Sequence, residues 1–148
     1  MQVKISILSF LFLIILGLSV KAQYNSELKI ETILKTNTTS IGQKIKYPSS
    51  TKDEVTMLKI TIPPGKTTGW HQHDIPVFAS VLQGTLTVEF EDGKTLKFSE
   101  NSSFSEVIHT VHRGINLEKN DLVLLAIYLG VKGKPLSIKN NTLITTEK

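Results

Sequence analysis

Four histidines fall in two pairs, His71 with His73 and His109 with His112. In His71-Gln72-His73 the spacing is two residues. Alternate side chains of a β-strand leave the same face, so both imidazoles point to one side and their ring nitrogens can converge on one cation. Neutral imidazole is the commonest protein ligand for Zn, Fe, Ni and Cu. The alternative for so short a motif is two histidines hydrogen-bonded to their neighbours, in the core or on the surface. The sequence holds no cysteine. That excludes thiolate metal sites, iron–sulfur clusters, a cysteine nucleophile and a disulfide scaffold. It also holds no Gly-rich phosphate loop, no GxSxG and no HExxH.

The elements that must carry these histidines read as strands. No long window keeps a helical period. Glu54–Ile62 alternates Thr56, Leu58, Ile60 and Ile62 against Met57, Lys59 and Thr61, and Pro63-Pro64-Gly65 ends it. Thr85–Phe90 and Lys94–Phe98 flank Glu91-Asp92-Gly93, a hairpin turn signal. Leu122–Leu129 is a long apolar strand closed by Gly130. Leu28–Leu34 and Ile41–Ile45 are weaker strands, and Leu143–Thr145 is one further edge strand or part of a loose tail. Strands separated by turn signals every ten residues or so predict a β-sandwich or barrel.

With both histidine pairs on this pattern, the sequence resembles the cupin superfamily. The first motif of that family runs G(x)5HxH(x)3–4E(x)6G. Gly65, His71, His73, Val77 and Gly84 occupy its fixed positions with every spacing kept. The second, G(x)5PxG(x)2H(x)3N, is matched at His112 and Asn116, while Val107 and His109 stand at its Pro and Gly positions. The resemblance is strongest to small quercetin-dioxygenase-like cupins and covers about 54–130. It implies an all-β jelly-roll barrel (a double-stranded β-helix), with residues 23–53 as N-terminal strands, 54–130 as the barrel core and 131–148 as a C-terminal strand or tail.

The resemblance further implies a divalent metal ion (Fe, Zn, Cu, Ni or Mn) on His71, His73 and His112. The motif-one Glu, normally a fourth ligand, is Val77 here. Loss of that carboxylate weakens binding of hard cations, above all Mn and Mg, whereas an all-nitrogen set favours Cu or Zn over Fe. Two residues offer compensation. Glu106, at an even offset from His112, shares its face if the strand is regular, and it is the candidate general acid or base. His109, at an odd offset, reaches the pocket only through a turn; support of a ligand or a surface position is the other reading. Phe78 and Phe104 are candidates for the pocket wall or for the core. Arg113, the only arginine, either clamps an anionic substrate at the rim or forms a surface ion pair. Trp70 is expected in the core or at an interface and Met57 in the core. Asp74 is a loop acid or a support for a histidine ring.

Three functions fit these residues. One is a metal-dependent dioxygenase-like oxidoreductase or isomerase on a small organic substrate. The others are a module that binds or senses a small ligand without catalysis, and a metal-free structural domain. The net charge of +4 is too weak to argue for nucleic acid. Part of it belongs to residues 1–22, which read as a cleavable signal peptide. Lys4 is the positive n-region, Ile5–Val20 is an apolar run broken only by Ser and Gly, and Val20-Lys21-Ala22 is the cleavage site. The run is shorter than the roughly 18–20 residues a membrane-spanning helix requires, so membrane contact is expected only through the leader before cleavage. The expected location is the periplasm or outside the cell. A homodimer is a further expectation from the resemblance.

Overall fold

The computed structural model describes residues 28–140; the proposed leader and Leu143–Thr145 lie outside the described residues. Among the described residues, nine strands form two antiparallel sheets. They are β1 (Asp53–Ile62), β2 (His71–Gln72), β3 (Val77–Gln83), β4 (Thr85–Phe90), β5 (Thr95–Ser99), β6 (Ser103–Ser105), β7 (His112–Asn116), β8 (Leu122–Val131) and β9 (Ile138–Lys139). The first sheet has the order β1-β8-β3-β6, the second β5-β4-β7-β2-β9. No helix occurs among the described residues.

Alternation in the sequence sets which side chains enter the core. In β8, Leu122, Leu124, Ala126 and Tyr128 are buried, while the residues between them are half-exposed. In β3, Val77, Ala79 and Val81 point inward and Phe78 points the other way. Leu86, Val88 and Phe90 of β4 belong to the same core as Ala79, Val81, Leu122 and Leu124, so residues of both sheets fill the space between them. The Asp92-Gly93 turn joins β4 to β5 as the turn chemistry predicts, with Gly93 at φ 81°. Gly130, expected to end the long strand, lies inside it, because Glu54–Gly130 pairing continues the β1–β8 ladder to Asp53 and Val131.

Other expectations differ. Leu28–Leu34 and Ile41–Ile45 are not strands; an isolated Thr38–Lys44 bridge is the only pairing there. The segment is tied down by side chains instead. Gln43 Oε1 accepts from the Ile108 N–H and its Nε2 donates to the Ile108 carbonyl, at 2.9 and 2.7 Å. Satisfying the Ile108 backbone this way leaves no ladder to extend. Met57 is exposed rather than buried, since it lies on the outward face of the edge strand β1. The short β9 lies before Leu143–Thr145 and pairs with His71 and Gln72.

Candidate metal centre

His71 opens β2 and pairs directly with His112, which opens β7. His73 follows β2 on the same side. One ligating atom from each of the three rings comes within 4.8 Å of the others. The ring centroids are 4.5 Å (His71–His112), 4.9 Å (His71–His73) and 5.3 Å (His73–His112) apart. His73 and His112 are buried, and His71 is partly so.

Each ring is anchored the same way. Nδ1 of His71 donates to the Gly69 carbonyl at 2.8 Å, Nδ1 of His73 to the Leu136 carbonyl at 2.9 Å, and Nδ1 of His112 to the Thr110 carbonyl at 2.8 Å. A ring nitrogen that faces a carbonyl oxygen must carry the hydrogen. In the neutral form of each ring Nε2 is therefore the lone-pair nitrogen, the tautomer a metal requires. Gly69, at φ 76°, turns the chain so that its carbonyl comes back over the His71 ring.

The electrostatics agree. Burial, opposed in part by the Gly69 hydrogen bond and assisted by the other two imidazoles, lowers the pKa of His71 to about 4. Burial also lowers that of His73. Both are neutral near pH 7. His112 differs. Burial acts against its charged form, but the Glu106 carboxylate, with Oε2 3.5 Å from Nε2, outweighs that penalty and raises its pKa. For Glu106 burial favours the neutral acid, yet His112 and the other imidazoles win and lower its pKa. The three histidines with an ionised carboxylate alongside fit a divalent cation, which would displace the proton shared by His112 and Glu106.

Glu106 reaches the centre from the first sheet. It follows β6, and its backbone N–H donates to the Val77 carbonyl at 2.8 Å. It is brought there by this bond past the end of the strand, not by regular strand parity. Val77 is paired on its other side with Tyr128 of β8. A row Glu106–Val77–Tyr128 therefore crosses the first sheet, opposite the imidazoles of the second. Sequence reasoning missed Tyr128 inside the long apolar strand. The signal was present, since Tyr128 has the same parity as the buried Leu122, Leu124 and Ala126.

The cavity between these walls has a volume of about 40 Å³ and is lined by the three histidines, Glu106, Tyr128, Thr68 and apolar side chains of both sheets. Gly114, on the inward face of β7 with His112, helps keep it open: a Cβ there would stand 3.0 Å from Leu86 Cδ1.

Four other candidates do not line this cavity. Arg113, one residue from His112, leaves the opposite face of β7. Its Nε donates to Glu89 Oε2 at 2.8 Å and its guanidinium stacks 4.5 Å over the Trp70 ring. Trp70 is itself buried. Phe78 has outward parity on β3. Phe104 is buried in the core, stacked on Phe98 at 3.7 Å. His109 sits at a turn with φ 52°, and the turn sends its side chain outward, where Nδ1 meets Asp74 Oδ1 at 2.9 Å. Asp74 thus supports the exposed His109 rather than a ring of the centre. Asn116, fully buried, donates to the Ile62 and Asn120 carbonyls and accepts from the Glu118 N–H, fixing the turn after β7.

The family profile described as the cupin domain matches residues 58–128. The matched stretch holds His71, His73 and His112. Among solved structures, the oxalate decarboxylase of Lactobacillus farciminis in its formate complex is similar at 17% identity and TM-score 0.50, over 70% of this chain and 36% of that one. The DMSP lyase of Ruegeria pomeroyi DSS-3 is similar at 13% identity and TM-score 0.50, over 58% of this chain and 43% of that one. A cupin domain from Bordetella pertussis Tohama I has 25% identity and TM-score 0.47, over 52% of this chain and 82% of that one. The decarboxylase and the lyase share the fold. A comparison with curated proteins finds no match.

Proposed function

We propose that this protein is an exported cupin, periplasmic or secreted, that holds one divalent metal ion on His71, His73 and His112 and converts a small organic substrate in a dioxygenase-like or isomerising reaction. The observation that carries the reading is the convergence of three imidazoles whose Nδ1 atoms are all bonded to backbone carbonyls. The reading of export rests on Lys4 and the apolar run Ile5–Val20 before Ala22.

A divalent ion held there supplies Lewis acidity and, with iron or copper, a route to dioxygen. The residues of the chain do the rest. The Glu106 carboxylate, ionised and next to His112 Nε2, takes a proton from the substrate and returns it to the product. Such general acid–base transfer contributes roughly 10²–10⁴-fold to a rate. The apolar wall of Ile60, Ala79, Leu86, Val88, Leu124 and Ala126 limits water and strengthens every electrostatic contact inside. A space of about 40 Å³ accepts the reacting end of a molecule and a water or two, since roughly 10–15 Å³ on this measure holds one water. The substrate is therefore small, or it enters end-on.

The test is metal analysis of protein purified without an affinity tag, beside a His71→Ala/His73→Ala double variant. One metal per chain is expected in the first and none in the second. The loss should exceed the roughly 10–100-fold that removal of a ligand's supporting partner costs. Equal metal content in the two proteins overturns the ligand assignment. Oxygen uptake with thiols, diketones and flavonoids then separates oxidation from isomerisation.

A further inference from the structure

Strand β1 ends the first sheet, and only one of its edges is used. It pairs with β8 from Asp53–Val131 to Ile62–Leu122 with no shift of register. Among the described residues no strand or bridge pairs its other edge. The Leu129 N–H donates to the Pro76 carbonyl, away from β1, and the Lys132 N–H donates to the Lys52 carbonyl, next to β1. The N–H and C=O of one residue leave an antiparallel strand on the same side, and the side alternates. Even-numbered residues of β1 therefore bond to β8, while Asp53, Val55, Met57, Lys59 and Thr61 turn their backbone groups to the free edge. Edge strands that stay single are commonly short, or are broken by a proline or a bulge. β1 is 10 residues long, with neither. Its outward face shows Val55 and Met57, 63% and 59% exposed. Leu58 has inward parity and is still 37% exposed, because nothing continues the sheet beside it.

We propose that the free edge of β1 pairs with the same edge of a second copy of this chain, antiparallel about a two-fold axis at Thr56, so that the first sheets of both copies become one. The side chains select the register. Residues opposite each other in an antiparallel pair share a face, so a continuous sheet sets odd-numbered residues against odd-numbered ones. With Thr56 on the axis, Asp53 of one copy stands opposite Lys59 of the other, and Val55 stands opposite Met57. The two-fold axis makes each contact twice. Neither Asp53 nor Lys59 has an ion-pair partner of its own among the described residues. Only this axis joins Asp53 to Lys59; an axis at Asp53, Glu54 or Lys59 sets like charges together, which is destabilising. The outward face also has room for the pairing. A groove of about 180 Å³ lined by Tyr47, Pro48, Asp53, Val55 and Leu129 borders the edge. Val55 and Leu129 are register partners there, and the Met57 side chain of the second copy, opposite Val55, enters it.

The purified protein is examined by sedimentation equilibrium beside Lys59→Asp, Asp53→Lys and the variant that carries both substitutions. The unaltered chain should be a dimer at micromolar concentration. Either single reversal sets like charges opposite each other at both ends of the pairing and should raise the dissociation constant by about tenfold. The double variant exchanges the charges and should return to within about threefold of the unaltered chain. A chain that stays monomeric throughout the micromolar range leaves the edge to another protein or to none, and overturns the proposal. A dimer that ignores the reversals overturns it too. A second measurement fixes the register without any charge variant. The chain holds no cysteine, so Thr56→Cys and Leu58→Cys each introduce a single thiol. The two copies of residue 56 form a non-hydrogen-bonded pair with Cα atoms about 4.5 Å apart, within reach of a disulfide. The two copies of residue 58 are offset along the strands by roughly 13 Å, beyond that reach. Mild oxidation should link Thr56→Cys into a covalent dimer and leave Leu58→Cys unlinked. Equal linkage in the two, or none in the first, overturns the register and the interface with it.

Discussion

The two sheets contribute unlike halves of the centre. The second, β5-β4-β7-β2-β9, supplies the imidazoles and fixes each by a hydrogen bond from Nδ1 to a backbone carbonyl. The first, β1-β8-β3-β6, supplies an apolar wall with two polar groups, Glu106 and Tyr128, on either side of Val77. The imidazoles are locked by main chain, so their geometry survives changes of side chain around them. The groups opposite carry no such anchor on their functional atoms. One wall decides which cation is held, the other what can be done beside it.

The largest expected effect separates these walls. Glu106→Gln keeps the volume and removes the negative charge. Any turnover should fall by roughly 10²–10⁴-fold, the worth of a positioned acid or base, while bound metal per chain stays near that of the unaltered protein. Steady-state rates and metal analysis on the same preparations measure both. A variant that loses its metal as fully as the His71→Ala/His73→Ala protein would show that the carboxylate belongs with the cation-holding wall.

A smaller effect concerns the imidazole wall without metal. The folded pKa of His71 is about 4, below its ordinary 6.5, and that of His73 is also lowered. Between these values the unfolded chain binds protons that the folded chain refuses, so stability falls as the pH falls from about 6.5 towards 4. For His71 alone the span is worth about 3 kcal/mol at most. His112 acts in the other direction: its pKa is raised, so its contribution is full below the unfolded value and fades as pH rises through the folded one. Glu106, lowered, loses its contribution only as pH drops through its folded pKa. The lowered imidazoles outnumber the raised one. The melting temperature of chelator-treated protein should therefore fall from pH 7 to 4.5, and His71→Asn should flatten that slope. A flat profile in the unaltered chain would mean that these rings are not held neutral by burial.

Much of this arrangement was legible because strand parity is strict. The i, i+2 spacing of His71 and His73 places two rings on one side, and the odd offset from His112 already sends Arg113 to the other face. The same rule, applied to β3 and β8, turns Phe78 outward and Tyr128 inward. What parity cannot reach lies between strands. Glu106 enters past the end of β6, through a backbone bond to Val77, and His109 leaves through a residue at positive φ. Neither follows from alternation. The segment before β1 reads as strands by composition, yet its partner there is the Gln43 amide on Ile108, a contact 65 residues apart in the chain that no local pattern announces.

The smallest effect tests the turn at His109. In the motif this position is a glycine, and φ 52° explains why: for a residue with a Cβ the left-handed region costs roughly 1–2 kcal/mol. The chain places a histidine there and gains a hydrogen bond between its Nδ1 and Asp74 Oδ1, whose side chains are 67% and 50% exposed. Exposed pairs contribute about 0–1 kcal/mol. His109→Ala loses the pair and keeps the strain. His109→Gly loses the pair and the strain, but adds freedom to the unfolded chain worth about 0.4–1 kcal/mol. The glycine variant should therefore be more stable than the alanine variant by up to about 1.5 kcal/mol in denaturant titrations. In both, the residue 109 N–H can still donate to the His73 carbonyl, as it does at 2.8 Å in the native chain, so metal affinity should not move. An alanine variant as stable as the glycine one would show that the turn relaxes without the native φ. A drop in metal affinity in either would show that the exposed turn, and not only the carbonyl at Leu136, holds the His73 ring in place.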